Sequence, residues 1–424
     1  MNREQDLLAF IKKSPSAFHA VAEGKRILKE AGFEELKWGE AWKLAPGGQY
    51  YSGIFDSTLI AFRVGKKPNG LKIVTAHTDC PGFRIKPQAG VMRDGYGMLN
   101  IEPYGGMILS TWFDRPLSVA GKVVLRGKDA FSPKMKLVNI DRPLFTIPSL
   151  AIHMNRQVND GVKINRQTEM MPLVKMLAKT GKNEAFFEKL LVSELGLKKD
   201  ELLAYDLTVY PYEAGCLFGA DDELISSPRL DDLTSVKACL DAIVAKRNRT
   251  GTNLIALFDN EEIGSRTKQG AASALLLQMI AAVYRGLGLD ESAMQSDISN
   301  GFMLSADVAH ALHPNYAGKA DPTNRPVLNG GVALKQAAAQ TYAGDAEAIA
   351  VIKELCRQND IPWQYYLNRS DIPGGSTIGA LASAVLSMRT MDIGVPILAM
   401  HSARETMGAK DQTAITDLLK AFFA

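Results

Sequence analysis

Four short apolar runs each lead into a residue that can bind a metal ion, and this feature constrains the fold most. The runs are residues 71–76 before His77, 254–258 before Asp259–Glu262, 302–306 before Asp307, and 395–400 before His401. Runs of this length, bounded by Gly, Asn or Pro, predict buried strands of a sheet that is covered on both faces. In open α/β sheets, ligands bind beyond the carboxyl ends of the strands. The pattern therefore predicts that two His and several carboxylates converge at one edge of the sheet as a metal site.

The composition is that of an ordinary globular protein, and it excludes several functional classes. The chain has 424 residues, of which 46% are hydrophobic and 22% charged, with a formal net charge of +3. No long Lys/Arg run is present, so no nucleic-acid partner is expected. No apolar stretch is long enough to cross a bilayer, so no membrane partner is expected. Four cysteines without a C-x-x-C pair and a polar N-terminus predict a cytoplasmic protein.

The chain falls into three zones. Residues 1–84 and 223–424 alternate strands with helices, and amphipathic helices are predicted over 4–13 and 17–31. Residues 85–222 are dense in short β-like pieces and turn signals, which is typical of a small barrel or sandwich. Because the first and third zones share one pattern, the sequence predicts an α/β catalytic domain interrupted by an inserted β-rich domain.

Two short segments suggest a metal ligand and a general base. His77 and Asp79 lie two residues apart at a predicted strand end, where Asp79 would orient the imidazole for metal binding. Glu261 and Glu262 follow another predicted strand, and adjacent carboxylates can divide the roles of ligand and base. Each segment also has an ordinary interpretation, as a strand-end His capped by a turn and as a charged surface turn.

Further acids and a second His complete the candidate set. Asp231 and Asp232 lie in the first turn of a helix predicted to have Ser227 as its N-cap, where the helix macrodipole also stabilises acids. Asp307 and His401 each directly follow a predicted strand. Two His, two Asp and a Glu, with a second Glu as base, suit two divalent ions that share a carboxylate. Mixed nitrogen and oxygen ligands favour Zn²⁺, and Mn²⁺ or Co²⁺ could substitute.

Motifs of other hydrolase and nucleotide-binding classes are absent from the sequence. The chain contains no H-E-x-x-H helix, no G-x-S-x-G elbow and no G-x-x-x-x-G-K-[ST] loop. A serine nucleophile and a nucleoside triphosphate site are therefore not expected.

Seven segments together carry a resemblance to a known family. They are residues 14–21, 77–79, 229–231, 259–265, 305–316, 371–379 and 400–402. In the same order and nearly from end to end, they resemble the M18 metallopeptidases, the aspartyl aminopeptidase family. This resemblance implies an α/β fold with a three-layer zinc-peptidase catalytic domain and an inserted β-rich dimerisation domain. It also implies a homododecamer built from dimers.

The resemblance further implies an aminopeptidase with two Zn²⁺ per subunit that releases single N-terminal residues from peptides. Carried over by motif, its site residues are His77 and Asp307 on one zinc, Glu262 and His401 on the other, Asp231 bridging both, Glu261 as general base and Asp79 as the orienter of His77. Residues 332–343 are more apolar than in acidic-selective eukaryotic members, so acidic and neutral N-terminal residues are both expected as substrates.

Three more residues fall where the family has substrate-site residues. His153 would reach the substrate from the inserted domain of a neighbouring subunit, and His310 and Lys335 fall at other substrate-site positions of the family. Their ordinary interpretations are a structural His, a His packed beside Asp307 and a solvated Lys.

Two other functional classes stay open at the level of the sequence. One is a different dimetal hydrolase of the same architecture, such as a carboxypeptidase or deacylase. The other is a non-catalytic assembly protein that has kept the fold. The complete ligand set and the additional Glu261 argue against the second.

Overall fold

The chain divides into two compact units in the structure, a computed structural model that describes residues 2–176, 185–198, 200–245 and 250–424. The large unit comprises Met1–Asp79, Gly215–Met400 and Glu405–Ala424, and the small unit comprises Cys80–Ala214 and His401–Arg404. The sequence predicts boundaries at 84/85 and 222/223. In the structure both boundaries lie a few residues earlier, at 79/80 and 214/215. Residues 401–404 group with the small unit, although the sequence interpretation assigned them to the catalytic part.

The helices and strands of the described residues are as follows. The helices are α1 Arg3–Lys13, α2 Ala17–Glu30, α3 Phe186–Leu195, α4 Leu230–Val244, α5 Leu275–Gly286, α6 Glu291–Asn300, α7 Ala346–Gln358, α8 Ile378–Leu386 and α9 Ala409–Phe423. The strands are β1 Glu34–Glu35, β2 Gln49–Ile54, β3 Thr58–Val64, β4 Lys67–His77, β5 Gly82–Arg93, β6 Tyr96–Tyr104, β7 Leu117–Leu125, β8 Lys134–Asn139, β9 Leu173–Met176, β10 Leu202–Pro211, β11 Cys216–Phe218, β12 Leu224–Ser227, β13 Thr250–Phe258, β14 Phe302–His310, β15 Val332–Gln336, β16 Trp363–Leu367, β17 Thr390–Leu398 and β18 Glu405–Gly408.

The four apolar runs form neighbouring parallel strands in the large unit. Its sheet, 12-stranded within the described residues, has the order β1-β2-β3-β13-β4-β14-β17-β18-β12-β11, and β15 pairs with β16 and β17. The segment β13-β4-β14-β17 is parallel throughout, with Phe258 level with His77 and Asp307 level with Gly394. Parallel neighbours end at the same edge of a sheet. The predicted strands and their shared edge are therefore confirmed.

Helices cover this sheet with apolar side chains. One hydrophobic cluster joins alternate residues of β13 (Leu254, Ala256 and Phe258) to the buried faces of α5, α6 and α8. On α2, an added Cβ at Gly24 would stand 2.6 Å from Leu59 of β3 and 3.6 Å from Leu240 of α4. Because helices pack closely against both faces of the sheet, its strands need apolar side chains on both sides. This explains why they appear as continuous apolar runs in the sequence.

The small unit has a separate sheet and a separate core. Its sheet has the antiparallel order β8-β7-β10-β5-β6-β9. The core lies against α3 and includes Phe83 and Trp112, whose rings are 5.0 Å apart at 84°. Large apolar side chains are also exposed on this unit, among them Phe131 (97%) and Met154 (74%). The predicted mixed α/β class with a β-rich insert is confirmed.

Some local predictions are correct and others are wrong. The predicted helices over 4–13 and 17–31 are α1 and α2. Ser227 is not an N-cap, because it ends β12 and its hydroxyl donates to the Pro228 carbonyl; α4 begins at Leu230. Asp307 does not follow its strand but lies inside β14. No helix in the described parts of the chain combines the length and apolar character that crossing a membrane requires.

Candidate metal centre

His77, the last residue of β4, lies at the centre of a buried group of carboxylates. Its Nδ1 donates to the carbonyl of Asp79 at 3.0 Å, since a carbonyl can only accept. This leaves Nε2 directed at the acids, 3.2 Å from Asp231 Oδ1 and 3.7 Å from Asp307 Oδ1. Burial lowers the pKa of His77, but Asp231, Asp307 and Asp79 outweigh it and raise that pKa well above its usual value. Because Nδ1 is engaged by the Asp79 carbonyl, Nε2 is the nitrogen that a metal would use in place of its proton.

Asp79 acts on His77 mainly through its backbone rather than its carboxylate. The carboxylate Oδ1 lies 3.5 Å from Nδ1 of His77, further than the carbonyl. Its two oxygens instead accept from the backbone N–H groups of Glu261 and Glu262, at 3.1 and 3.2 Å. One buried acid thus links the end of β4 to the turn after β13. The sequence interpretation foresaw an orienting role for Asp79 but not this second one.

Asp231 and Asp232 open α4 and point toward the end of β4. The peptide bond between them is cis, and neither has helical dihedral angles. The backbone N–H of Asp231 donates to Glu405 at 3.1 Å, and the backbone N–H of His77 donates to Asp232 at 3.2 Å. Burial first, then repulsion from Asp307 and Asp231, raises the pKa of Asp232 well above its usual value. Sequence reasoning assigned no role to Asp232 or Glu405. The adjacent pair of Asp residues is the sequence feature that could have indicated a role for Asp232.

Asp307 is paired with a buried lysine. Oδ2 of Asp307 lies 3.2 Å from Nζ of Lys335, which is only 2% exposed. The backbone N–H of Val308 donates to Oδ1 at 2.6 Å. Burial raises the pKa of Asp307, but Lys335 and His77 outweigh it and lower that pKa. Asp307 is therefore a carboxylate held ionised beside His77, and Lys335 is not the solvated side chain of the ordinary interpretation.

Glu261 and Glu262 occupy a short 3-10 turn directly after β13. Asn260, which precedes the turn, has a φ of 64°, and a carboxylate oxygen of each acid lies within 4.8 Å of a His77 ring nitrogen. Burial, together with Asp307, Asp231 and Asp79, raises the pKa of Glu261 to about 8 against the lowering effect of His77. Burial and Asp231 raise the pKa of Glu262 well above its usual value. These carboxyls repel one another in a site with little solvent.

The donor atoms are close enough to share a metal ion. One atom each of His77, Asp231 and Asp307 lies within 4.8 Å of the others, and the same is true of His77, Glu261 and Glu262. Imidazole nitrogen and carboxylate oxygen are donors that Zn²⁺ accepts. A divalent cation would also offset the excess of buried negative charge that raises the carboxyl pKa values. The residues therefore fit a zinc site, both in donor chemistry and in charge.

The other predicted site residues that remain to be described are His401, His153 and His310. His401 belongs to the small unit, where its Nδ1 donates to the Gly106 carbonyl. His153, also in the small unit, is exposed on a short 3-10 turn. His310 is the exposed last residue of β14, with its ring 6.0 Å from that of Tyr366. His310 and Tyr366 line a cavity of about 430 Å³ in the large unit. The roles predicted for all three His remain predictions.

The fold and this site define a metal-dependent hydrolase of the α/β class. A family profile described as aminopeptidase I zinc metalloprotease (M18) matches residues 10–423. A probable M18 family aminopeptidase 2 of Clostridium acetobutylicum is 46% identical over 421 residues, covering 98% of this chain and 97% of the relative. A probable aspartyl aminopeptidase of Ricinus communis is 34% identical over 464 residues, covering 99% and 94%.

A solved structure agrees with these relatives. The S. cerevisiae mApe1 dodecamer superimposes with a TM-score of 0.86 at 26% identity, covering 99% of this chain and 96% of that one. The chain belongs to the M18 family of zinc metallopeptidases, and it is a metalloaminopeptidase. The resemblance inferred from the seven sequence segments is confirmed.

Proposed function

We propose that this aminopeptidase uses two zinc ions and Glu261 as general base to release single acidic or neutral N-terminal residues from peptides. The observation that carries the proposal is the buried convergence of Asp231, Asp307, Glu261 and Glu262 on the imidazole of His77. Few structural roles explain so many carboxylates in one buried place, because their mutual repulsion destabilises the fold unless a cation is bound.

The residues that would hold zinc divide into two sets with one shared member. His77 and Asp307 would hold one ion, Glu262 and His401 the other, and Asp231 would contact both. Support for the first set comes from the distances of 3.2 and 3.7 Å between Nε2 of His77 and the two Asp oxygens. When bound, zinc supplies a Lewis acid for the scissile carbonyl and makes water more acidic. Mn²⁺ or Co²⁺ could take the same donors.

The chain's own proton-transfer group is Glu261. It takes a proton from the attacking water and later gives it to the amine that leaves, so one carboxylate serves as base and then as acid. Its backbone N–H is held by Asp79, and so is that of Glu262. This double contact keeps the base in a constant position relative to the ligands, which general base catalysis requires.

Substrate recognition would need a free N-terminal amine and the cavity beside His310. The cavity of about 430 Å³ suits a small peptide end, and His310 and Tyr366 offer polar groups on its wall. Lys335 lies beside Asp307, where its positive charge would act on the substrate end of the site. His153 would come from a neighbouring copy, in keeping with its exposure on the small unit.

We also propose a homododecamer assembled from dimers through the small unit. A related protein of S. cerevisiae forms a dodecamer. On the small unit, the segment around His153 carries the exposed apolar side chains Leu150 (55%), Ile152 (47%) and Met154 (74%). Adjacent exposed apolar side chains of this kind mark interfaces more often than solvent-facing surface. A cytoplasmic location and the lack of nucleic-acid or membrane partners stay predictions from the sequence.

The test compares Glu261→Gln with wild type for both metal content and turnover. We expect the variant to keep zinc, measured by elemental analysis, and to lose about 10²–10⁴-fold in turnover of aminoacyl-arylamides. Glu262→Gln is the matched control, since removing a neighbouring ligand carboxylate should lower zinc content as well. A Glu261→Gln protein with normal turnover would refute the base assignment.

Substrate class is tested with peptides whose N-terminus is free or acetylated. An aminopeptidase cleaves only the free form, whereas a deacylase or carboxypeptidase acts on the blocked one. Mass measurement in solution on the same sample gives the subunit number.

A further inference from the structure

Asp392 is a buried carboxylate that no step of the proposed mechanism uses. It lies in β17 and is 0% exposed. An ionised carboxylate away from water destabilises a fold by several kcal/mol unless it is paired or hydrogen-bonded. Its contacts therefore indicate what the residue does.

Asp392 holds one segment of the chain with both its side chain and its backbone. The N–H of Ala343 donates to Oδ2 of Asp392, and the N–H of Asp392 donates to the Ala343 carbonyl at 2.8 Å. A Cβ added at Gly379, in the first turn of α8, would stand 2.5 Å from the same Oδ2. The carboxylate thus has α8 against it on one side and residue 343 on the other, and it has little room to move.

The segment that Asp392 holds contacts Lys335 through the adjacent residue. Tyr342 is 4% exposed, and its ring centroid lies 5.3 Å from Nζ of Lys335. The hydroxyl of Tyr342 accepts from Asn368 at 3.4 Å. Lys335 is therefore packed against an aromatic face whose position depends on residue 343, and through it on Asp392.

Asp392 also acts on Lys335 by charge. Burial lowers the pKa of Lys335, and Asp307 followed by Asp392 raises it enough to give a net increase. In return, Lys335 opposes burial at Asp392, whose pKa burial raises to about 6. Two carboxylates thus stabilise the buried ammonium, Asp307 of the metal centre and Asp392 of β17.

We propose that Asp392 is a positioning residue of the hydrolytic site, which holds Tyr342 and Lys335 where Lys335 can pair with Asp307. The inference rests on the proposed function, because Asp307 affects turnover only if it helps to hold zinc. Replacing a residue that orients a metal ligand, without itself binding the metal, typically lowers metal affinity or activity by about 10–100-fold.

The test is Asp392→Asn, which keeps the side-chain size and removes the charge. The matched control is Asp411→Asn, a second buried carboxylate of the large unit that accepts from the backbone N–H groups of Asn329 and Gly331. We expect Asp392→Asn to lower kcat, zinc affinity measured by chelator competition, or both, by about 10–100-fold. We expect Asp411→Asn to change neither by more than about twofold.

Amide hydrogen exchange provides a readout that does not depend on activity. The amide of Ala343 should exchange faster in Asp392→Asn than in wild type, because its acceptor is weakened, and should be unchanged in Asp411→Asn. If Asp392→Asn does not fold, Gly379→Ala displaces the same carboxylate without removing its charge and should produce the same changes several-fold smaller.

The outcomes separate this inference from the proposed function. Faster exchange at Ala343 with unchanged kcat and unchanged zinc affinity would overturn the positioning role and leave the proposed function intact. A wild-type protein without peptidase activity would refute the proposed function, and zinc affinity and exchange would still decide the role of Asp392.

Discussion

Two buried carboxylate regions of the large unit differ in how their negative charge is compensated. Around His77, several acids share one imidazole and one lysine, and the pKa values of Asp232, Glu261 and Glu262 are raised. At the start of α9, Asp411 is alone and accepts from the backbone N–H groups of Asn329 and Gly331, at 2.7 and 2.9 Å. In the first region several carboxylates face one another, whereas in the second a single carboxylate faces backbone amides that offset part of its burial.

This difference separates a chemical role from an architectural one. Backbone N–H groups are part of the fold, so the carboxylate of Asp411 joins the 329–331 segment to α9 and needs no ligand. Backbone N–H groups also reach Asp79, Asp232 and Asp307 around His77, but there the carboxylates face one another and repel. A bound cation offsets the repulsion between these carboxylates, and a metal site provides such a cation.

Removing zinc should have the largest effect, and should affect only the first region. Dialysis of the wild-type protein against a chelator is expected to lower turnover on the order of a thousandfold, because metal assistance supplies several kcal/mol to hydrolysis. Activity should return on adding zinc. The Asp411→Asn protein should lose and regain activity in the same way. Chelated protein that keeps full turnover would contradict the assignment of the first region as a metal centre.

Breaking the Asp307–Lys335 pair should have the next largest effect. Lys335→Met leaves Asp307 buried without its ammonium, and loss of one partner of a buried pair lowers the free energy of unfolding by about 3–5 kcal/mol. We expect a smaller loss in zinc-loaded protein, since the metal can compensate the same carboxylate. Denaturant titrations with and without zinc measure both values.

Lys237→Met is the control for this variant. Lys237 pairs with Asp241 within α4 at 2.6 Å, and Asp241 is partly exposed, so its replacement should have less effect and should not respond to zinc. Equal losses in the two variants would show that the Asp307–Lys335 pair has no special link to the metal.

The pH dependence of Asp411 tests the second region by itself. Burial raises its pKa to about 7 against the lowering by the two backbone N–H groups, whereas the unfolded carboxyl titrates near 3.8. Between these values the folded protein binds a proton that the unfolded chain does not, so stability falls as pH rises from about 4 to about 7. The shift corresponds to about 4 kcal/mol at most.

Asp411→Asn removes this titration and should flatten the pH profile of unfolding in that window. Denaturant titrations at several pH values on chelated and zinc-loaded protein measure it, and the difference from wild type should be the same in both. A difference that depends on zinc would mean that the two regions are coupled.

The sequence predicted the framework of the site well because its signals are local. A buried parallel strand requires a continuous apolar run, and a ligand at its end requires a polar residue there, so β4, β13, β14 and β17 could be recognised one by one. The order in which these four strands lie side by side in the sheet could not be deduced from any of the apolar runs. Asp307 was predicted to follow its strand directly but lies inside β14, because a buried acid within a strand resembles the polar residue that ends one.

The residues that were missed act through space rather than along the chain. Glu405 accepts from Asp231 across 174 positions of sequence, and Asp392 holds Ala343 across 49. The double role of Asp79 depends on the turn after β13 approaching the end of β4. Burial of Lys335 depends on packing against Tyr342 and Asp307. No local pattern encodes these contacts.

The sequence by itself determined the family and the α/β class and supplied the candidate donor residues, since motifs and strand patterns are written along the chain. Only the tertiary structure decided which oxygen faces which nitrogen, which cation compensates Asp307 and which acids are compensated by backbone amides. The physical reason is that charge interactions depend on distance and burial, and both are set when segments far apart in the chain pack together.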